Sequence, residues 1–379
     1  MHTVGLIAEY NPFHNGHLYQ INEIKKMYPN SCIVLVLSTS FTQRGEASLL
    51  DKWAKTDIAL NYGIDLVIEL PYIFSTQSSD IFAKGAIEIL NTLKIDTLVF
   101  GSESNNIDML EKIADTQINN KEYDSLVKKY LAKGINYPTS MNKALKELLN
   151  IEISSPNDLL ALSYIKEIKK QKANIKPISI KRTNDYHSKN LDNKITSATS
   201  IREAIKKNID IKKYVPTLTY KNVNNMINHE EYYPYLVYKI LSEDDLSKYL
   251  DVDEGIENRI KKAILQSKTY DELINNIKTK RYTYNKINRM LTHILCNFTK
   301  DEKEKNKDIK YIRILGFSQD GKNYLNKIKK EVKLPIITKY NNLLDQEIKI
   351  TSIYSLILEE KNKIKLIEAE YKNHPIIKK

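Results

Sequence analysis

The sequence predicts an α/β protein in which a parallel sheet with helices on both faces precedes a mainly helical, basic carboxyl-terminal region. Two observations carry this prediction. In the amino-terminal part, short apolar runs alternate with helical patterns at intervals of about thirty residues, the length of a β-α-β unit. After Val215-Pro216, helical patterns and lysines dominate the chain. We therefore predict a first domain at residues 1–215 and a second at 216–379.

Five apolar runs are the predicted strands of the first domain. They are Val4–Ala8, Cys32–Leu37, Leu66–Leu70, Thr97–Phe100 and Ile175–Ile180. Such runs are continuously apolar because helices cover both faces of a parallel sheet. The carboxyl ends of the strands meet at one edge, where α/β proteins bind their ligands.

Helical patterns and two further strands fill the rest of the chain. Residues 105–150 read as a helical insertion, and its predicted core is Leu126, Val127, Tyr130 and Leu131. Helices of the second domain are predicted near 230–250, 255–266, 270–278 and 283–298. A helix at 320–330 between strands Tyr311–Phe317 and Leu334–Thr338 predicts a small α/β element.

The charge is unevenly distributed along the 379 residues. The net charge is +12, yet residues 1–120 hold 8 basic and 14 acidic residues, a net of −6. Residues 260–340 alone hold 20 basic and 8 acidic residues. This asymmetry favours a polyanion partner such as nucleic acid for the second domain. The alternative is a lysine-rich composition in which lysines merely solvate helices.

Several classes of protein are disfavoured. No apolar run has the length needed to cross a bilayer, and the first residues form a predicted strand rather than a signal peptide. Cys32 and Cys296 are too few and too distant in sequence for a disulfide framework or a metal cluster. We expect a cytoplasmic protein without a membrane partner.

The stretch from Val4 to Leu18 joins the first strand to the first helix. Asn11-Pro12 and Asn15-Gly16 are turn dipeptides, and helical spacing begins at His17. The amino end of this helix opens at the carboxyl edge of the sheet. Backbone N–H groups and the helix dipole favour a phosphate there.

Two histidines, His14 and His17, flank Gly16 on this turn. Glycine has no Cβ, so a phosphate or an adenine ring can approach the backbone closely. Imidazoles beside a polyphosphate can donate hydrogen bonds to the charge that develops as the α–β phosphate bond breaks. The alternatives are two zinc ligands or two surface residues on a loop, and no neighbouring Cys or third His completes a zinc site.

A second anion-binding helix start is predicted at residues 195–203. Hydroxyl side chains precede a helix that opens at Thr199 or Ser200, and Arg202 lies in its first turn. The alternative is a simple Ser/Thr helix cap.

Further cations lie between the second and third predicted strands. Arg44 lies in a polar loop after the second strand and could bind a phosphate or a substrate carboxylate. Lys52 and Lys55 are three residues apart on a predicted helix at 51–61 and could face the phosphates. Solvated residues are the alternative in each case.

Three more positions lie where strands end or helices begin. Gly101 follows the fourth strand, Asn157 lies at a helix start, and Arg182 leaves the fifth strand at the ligand edge. Without further information they read as a turn glycine, a cap and a cation suited to a triphosphate. In the second domain, residues 278–289 interleave Lys278, Lys280, Arg281 and Arg289 with tyrosines, which predicts RNA contacts.

Two segments resemble known signatures. Residues 9–17 read Glu-Tyr-Asn-Pro-Phe-His-Asn-Gly-His. The end of this string resembles the HxGH signature of the nucleotidyltransferase superfamily, and the whole string resembles the bacterial tRNA(Met) cytidine acetate ligase family. Residues 195–203 resemble the superfamily's second signature, Ile-Ser-x-Thr-x-Ile-Arg. Residues 38–45 resemble the family's Ser-Gly-Asn/Ser-Phe-x-Gln-Arg-Gly, although Thr39 replaces the glycine and Ser40 occupies the next position.

The resemblance implies a Rossmann-like (HUP-type) catalytic domain and a two-step reaction. Acetate attacks ATP to give acetyl-adenylate and pyrophosphate, and N4 of the wobble cytidine of elongator tRNA(Met) then takes the acetyl group. It implies ATP as a substrate with Mg²⁺, and no haem, flavin or structural metal. The oligomeric state is not implied.

The resemblance also implies residue roles. The expected catalytic residues are His14, His17, Lys52 and Arg202, with Arg44 and Lys55 near phosphate or substrate. The expected ATP contacts are Ile7, Ala8, Glu9, Tyr10, Asn11, Pro12, Phe13, His14, Asn15, Gly16, His17, Leu18, Tyr19, Gln20, Gly101, Asn157, Arg182 and Thr199. The expected tRNA contacts are Lys278, Lys280, Arg281 and Arg289.

Two other functions remain open at this point. A small-molecule adenylyltransferase of the pantetheine-phosphate type would explain the signatures but would leave the basic second domain without a role. A non-catalytic tRNA-binding protein would explain the charge but not His14, His17 and Arg202 together.

Overall fold

The computed structural model describes residues 1–182, 196–279 and 281–378. Within them, a mixed sheet forms the centre of the molecule and helices cover both of its faces. The strands are β1 (Thr3–Ala8), β2 (Cys32–Ser38), β3 (Leu66–Leu70), β4 (Thr97–Ser102), β5 (Lys176–Lys181), β6 (Ile312–Phe317), β7 (Ile336–Ile337) and β8 (Ile376–Ile377). Their spatial order is β5-β4-β1-β2-β3-β6-β7, and β8 pairs with β6.

The first five strands are parallel, as predicted, and each predicted run overlaps its strand. β1 therefore lies between β2 and β4 in the middle of the parallel part. Its carboxyl end opens at the switch point of the strand order, where the chain passes to β2 on one side and β4 on the other. This topology creates a crevice for a ligand.

The helices account for most of the remaining chain. Those of the amino-terminal part are α1 (Asn15–Met27), α2 (Lys52–Asn61), α3 (Tyr72–Ser75), α4 (Ser79–Thr92), α5 (Ile107–Asn119), α6 (Lys121–Ala132), α7 (Tyr137–Leu149), α8 (Pro156–Lys170) and α9 (Ala198–Lys206). Those of the carboxyl-terminal part are α10 (Thr217–Lys221), α11 (Tyr233–Ser242), α12 (Ile256–Ile264), α13 (Tyr270–Ile277), α14 (Tyr284–Leu295), α15 (Lys300–Lys305), α16 (Gln319–Ile328), α17 (Asp345–Tyr354) and α18 (Glu360–Lys372). Short 3-10 helices lie at Val223–Asn225, His229–Tyr232, Leu246–Lys248, Asn342–Leu344 and Ser355–Ile357.

The core lies on both faces of the sheet because alternate side chains of a strand point to opposite faces. In β2, Cys32, Val34 and Val36 join one apolar cluster, whereas the intervening side chains join the other. All seven residues of β2 are buried. This double burial explains why the strand is a continuous apolar run.

The predicted small α/β element is not separate from the main sheet. β6 pairs antiparallel with β3, and β8 pairs with β6, so the carboxyl-terminal part completes the sheet of the amino-terminal part. The physical reason is that β3 would otherwise expose the backbone N–H and C=O groups of an edge strand. The division at residue 215 stays a prediction, because strands from both sides of it share this sheet.

The insertion at 105–150 is helical, as predicted, and consists of α5, α6 and α7. Leu126 and Val127 are buried as expected. The prediction was wrong for Tyr130, which is half-buried, and for Leu131, which is 39% exposed. Over the ranges that the structure describes, no helix is both long enough and apolar enough to cross a membrane.

Candidate active site

The turn between β1 and α1 positions two stacked imidazole rings. His14 is the N-cap of α1, with an extended backbone (φ −137°, ψ 174°), and His17 is the third residue of the helix. The two ring centres are 3.8 Å apart. The helix therefore begins at Asn15 rather than at His17, because the His14 side chain caps it.

Each ring accepts a backbone hydrogen bond through Nδ1. The Gly16 N–H donates to His14 Nδ1 at 3.0 Å, and the His14 N–H donates to His17 Nδ1 at 3.2 Å. A neutral imidazole that accepts at Nδ1 carries its proton on Nε2. Both rings thus hold an Nε2–H donor at the amino end of α1.

Both histidines are neutral at physiological pH. Burial and, to a smaller extent, the nearby Arg182 and Arg202 guanidinium groups together lower the pKa of His14 to about 3. Burial also lowers the pKa of His17, and the charges of His14 and Arg182 act in the same direction. Neutral Nε2–H groups can donate to an anion without first having to lose or gain a proton.

Aromatic side chains and backbone contacts fix this turn in place. The Phe13 ring stacks on Tyr62 at 5.4 Å and meets Tyr10 edge-to-face at 4.8 Å. The Asn15 N–H donates to the Tyr214 carbonyl at 3.1 Å. Tyr10 has a positive φ of 46°, a conformation that side chains rarely adopt, so the backbone bends sharply as it leaves β1.

Arg182 enters the site from the end of β5, directly beside Gly101 at the end of β4. A Cβ on residue 101 would lie 3.3 Å from the Arg182 Cγ, so glycine gives the arginine room. The Arg182 Nε is buried and has no hydrogen-bond partner among the described residues. Burial lowers the pKa of Arg182, and the Glu103 carboxylate opposes this shift. A buried guanidinium in this state favours an anionic ligand.

The start of α1 and the ends of β4 and β5 line an open cavity. Its lining residues are His14, Gly16, His17, Tyr19, Gln20, Gly101, Ile180, Lys181, Arg182 and Thr196. Seven of these were predicted. The structure therefore brings the two histidines, Gly101 and Arg182 together around one space, although they come from three separate parts of the chain.

The second predicted anion-binding helix start also lies beside the turn. Ser197 caps α9 by accepting from the Ser200 N–H at 3.1 Å. Arg202 donates to the Asn11 carbonyl at 3.1 Å and to the Thr199 hydroxyl at 3.4 Å. Its Nε lies 3.6 Å from a carboxylate oxygen of Glu46. Arg202 thus joins α9 to the residues that precede the histidines.

Asn157 contacts the site through another residue. Its side-chain amide donates to Glu103, which also accepts from the Asp158 N–H at 3.0 Å. Asp158 in turn accepts from the N–H groups of Glu103 and Ser104 at 3.1 and 3.0 Å. These reciprocal bonds hold the start of α8 against the end of β4, two residues beyond Gly101.

Lys55 is a buried structural cation rather than a residue of the cavity lining. Its ammonium donates to the carbonyl groups of Ser38, Thr39 and Glu9 at 2.6, 2.8 and 3.1 Å. These carbonyls follow β2 and β1, so Lys55 holds the two strand ends together. Burial lowers its pKa to about 7. The prediction that Lys55 faces a phosphate does not agree with this position.

Lys52 is likewise turned away from the cavity, which corrects its predicted catalytic role. Its ammonium binds Glu69 at 2.5 Å and Glu370 at 2.8 Å, and its side chain is only 1% exposed. Arg313 binds the same two carboxylates at 2.8 and 2.6 Å. The physical reason is that two buried carboxylates require two buried cations. We call Lys52, Glu69, Arg313 and Glu370 the buried ionic cluster.

The loop at 39–50 joins the site to the carboxyl-terminal helices. The Thr292 hydroxyl donates to the Gly45 carbonyl at 2.5 Å, and the Tyr354 hydroxyl donates to the Ser48 carbonyl at 2.8 Å. Leu49 in turn donates its N–H to the Asn11 side chain at 2.8 Å. Arg44 lies half-buried in the same loop.

The predicted tRNA contacts occupy different environments. Lys278 is exposed, and Arg281 is exposed and paired with Glu254 at 2.8 Å. Arg289 is only 13% exposed and contacts Asp251 at 3.7 Å and the Gln43 carbonyl at 3.4 Å. Its contact with the 39–50 loop gives it a structural position, and its contact with tRNA stays a prediction. Lys280 lies outside the described residues.

Three cavity residues were missed by the sequence analysis: Ile180, Lys181 and Thr196. Ile180 and Lys181 immediately precede Arg182, and Thr196 belongs to the recognised second signature segment. Each was therefore adjacent to a residue with a visible signal. Within the ranges that the structure describes, no three His, Cys, Asp or Glu side chains are grouped so that they could hold a metal ion.

Comparison with known proteins is consistent with this geometry. The model of the family described as HIGH Nucleotidyl Transferase matches residues 1–368. A relative named tRNA(Met) cytidine acetate ligase, from Geobacillus sp., is 41% identical, and the alignment covers 100% of both chains. The chain belongs to the tRNA(Met) cytidine acetate ligase family. The predicted family, α/β fold and enzyme class are therefore confirmed.

Other relatives agree over the whole length. The Bacillus subtilis protein of the same name is 37% identical over 99% of this chain and 97% of its own. Crystal structures of Thermotoga maritima TmcAL, 29% identical, superpose over 100% of this chain and 99% of their own. The TM-score is 0.92 for the apo form and 0.91 for the form bound with alpha-thio ATP.

Proposed function

We propose that this protein is an ATP-dependent ligase that acetylates N4 of the wobble cytidine of elongator tRNA(Met), with acetate as the acyl source. The observation that carries the proposal is the pair of neutral imidazoles, His14 and His17, each with Nδ1 bound to a backbone N–H. Family membership supports the target base, and the TmcAL structure bound with alpha-thio ATP supports ATP as the nucleotide.

The first step forms acetyl-adenylate. A carboxylate oxygen of acetate attacks the α-phosphorus of ATP, and the bond from this phosphorus to the bridging oxygen breaks to release pyrophosphate. The Nε2–H groups of His14 and His17 donate to the negative charge that grows on the phosphate oxygens. Arg182 and Arg202 stabilise the departing pyrophosphate. Neither this step nor the acetyl transfer that follows it requires a covalent bond to the enzyme.

The second step transfers the acetyl group. N4 of the cytidine attacks the acetyl carbonyl carbon, the bond to the adenylate oxygen breaks, and AMP leaves while N4 loses a proton to solvent. We place the tRNA on the basic part of the chain, where Lys278 and Arg281 are exposed. Residues 1–215 would thus supply the chemistry and 216–379 a share of the RNA contacts, in the cytoplasm.

Mg²⁺ is assigned no protein ligands here. The described residues bring no set of three acidic, His or Cys side chains together. A cation that accompanies ATP would therefore be held chiefly by the phosphates.

The test is acetate-dependent exchange of labelled pyrophosphate into ATP, followed by mass spectrometry of tRNA treated with isotopically labelled acetate. The proposal expects exchange with acetate alone and a labelled acetyl group on the wobble cytidine. Exchange that requires a phosphorylated metabolite would support an adenylyltransferase instead. The absence of exchange with any acid would leave only tRNA binding.

A further inference from the structure

The helical insertion carries a group of like charges that the proposed chemistry does not use. The ammonium groups of Lys129, Lys133 and Lys143 lie 6.0, 5.9 and 5.6 Å from the centre of the Tyr130 ring. All three lysines are exposed. Lys129 belongs to α6, Lys133 directly follows it, and Lys143 belongs to α7. We call these lysines and Tyr130 the insertion cluster.

Local contacts account for only part of this arrangement. Glu147 accepts from the Tyr130 hydroxyl at 2.6 Å and supplies one carboxylate against three ammonium groups. Lys129 and Lys133 lie at the carboxyl end of α6, where the helix dipole favours cations. Lys143 lies in the interior of α7, where the dipole gives no such advantage. The excess of positive charge is therefore suited to an anionic partner.

Both ends of the insertion lie close to the carboxyl end of β4. It begins after β4, whose residue Gly101 lines the cavity. After α7 the chain returns to Asn157, which donates to Glu103. The insertion thus projects from the edge of the sheet that holds the two histidines. A macromolecule with one base in the cavity would extend its backbone past this edge.

We propose that the insertion cluster binds phosphate groups of the tRNA while the cytidine occupies the cavity. This inference rests on the proposed function, since it assigns part of the binding surface for that substrate. Lysines bind phosphates as point charges, so the contact between the insertion cluster and the tRNA backbone does not depend on the base sequence. The surface lies in the part of the chain that precedes residue 215, apart from the tyrosine-rich segment at 278–289.

The test compares two triple variants of the full chain. The cluster variant is K129Q/K133Q/K143Q, and the control is K26Q/K94Q/K172Q. The control lysines are also exposed and belong to the part of the chain that precedes residue 215. They lie shortly before β2, β4 and β5, so they are at the amino edge of the sheet, opposite the cavity. Affinity for elongator tRNA(Met) is measured over a series of potassium chloride concentrations.

The cluster variant is expected to bind tRNA about 10-fold more weakly, with a salt slope smaller by about 2 to 3, because each lost phosphate contact removes about one unit. The control should keep the original affinity and slope. K129R/K133R/K143R should restore binding because the charge is retained. Acetate-dependent pyrophosphate exchange should be equal in all variants, which shows that the catalytic part is intact.

Different results would overturn the insertion cluster and the proposed function. An unchanged salt slope in the cluster variant, or an equal loss in the control, would overturn the insertion cluster as a binding surface. If the unaltered protein fails to exchange pyrophosphate or to bind tRNA(Met), the proposed function is wrong.

Discussion

The cations of the cavity and those of the buried ionic cluster differ in their partners. Arg182 lies at the cavity with a buried Nε that has no hydrogen-bond partner within the described part of the chain. Lys52 and Arg313, by contrast, each bind both Glu69 and Glu370. The first arrangement favours an anionic ligand, whereas in the second each cation already has two carboxylate partners inside the protein. A buried cation indicates a binding site only when its partners inside the protein are too few.

The buried cations outside the cavity have structural roles. The buried ionic cluster joins α2, β3, β6 and α18, so it holds the last long helix of the chain against the central sheet. Lys55, one turn further along α2, binds the carbonyls at the ends of β1 and β2. α2 thus holds the ends of β1 and β2 together, and none of its residues lines the cavity.

The largest expected effect lies in the buried ionic cluster. Lys52→Met should lower the free energy of unfolding by about 3–5 kcal/mol, because Glu69 and Glu370 would keep only one cation in a buried site. Urea unfolding measures this loss. Lys84→Met is the matched control, since Lys84 pairs with Asp308 on the surface and should cost less than about 1 kcal/mol. A loss of similar size in both variants would contradict the distinction.

The next effect concerns the cavity. His17→Ala should reduce acetate-dependent pyrophosphate exchange by about 10²- to 10³-fold, the usual cost of one donor to a developing charge. Affinity for tRNA should change little. His2→Ala is the control, because His2 lies near Asp96, away from the cavity. Exchange at the original rate in His17→Ala would refute the role of the ring.

Arg182→Met tests whether the cation at the cavity binds a ligand rather than stabilising the fold. ATP affinity should fall about 10- to 100-fold, because a hydrogen bond to a charged group is removed. The ligand-free protein should be as stable as before or more so, since the buried Arg182 Nε has no hydrogen-bond partner among the described residues. Calorimetric ATP titration and urea unfolding give the two readouts. A marked loss of stability without a loss of ATP affinity would assign Arg182 a structural role.

The smallest effect is a pH dependence of stability. His229 accepts from the Ala47 N–H at 3.0 Å, and burial lowers its pKa from 6.5 to about 4. Its neutral form is favoured in the folded state, so its contribution is complete above pH 6.5 and is lost as the pH falls towards 4. At pH 5 the loss is about 2 kcal/mol.

His229→Asn keeps an acceptor for Ala47 and does not titrate, so it isolates this contribution. Urea unfolding at pH 7.5 and pH 5 should show a difference smaller by about 2 kcal/mol than in the unaltered protein. An identical pH dependence would show that His229 is not held neutral by the fold.

Much of the site was predictable because its signals are local. A short apolar strand, a turn with Asn11-Pro12 and Asn15-Gly16, and two histidines around Gly16 all lie within one stretch. Helix capping by His14 is decided by neighbouring residues as well. Arg182 was visible because it directly follows an apolar run.

The environments of Lys52, Lys55 and Arg289 were not predictable, because their partners are remote in sequence. Helical spacing places Lys52 and Lys55 near each other on α2 but does not show what packs against them. Glu370 follows Lys52 by more than three hundred residues, and it is this contact that excludes Lys52 from the cavity. Arg289 lies in a basic segment, yet the 39–50 loop covers it.

By itself, the amino-acid sequence determined the parallel strands, the histidine turn and the two capped helix starts at which we expect anions to bind, since each depends on residues a few positions apart. Only the tertiary structure decided which cations face the cavity and which complete the core. It also decided that β6 and β8 close the sheet of the amino-terminal part. The physical reason is that the energy of a buried charge or of an exposed strand edge depends on the groups that the fold brings to it.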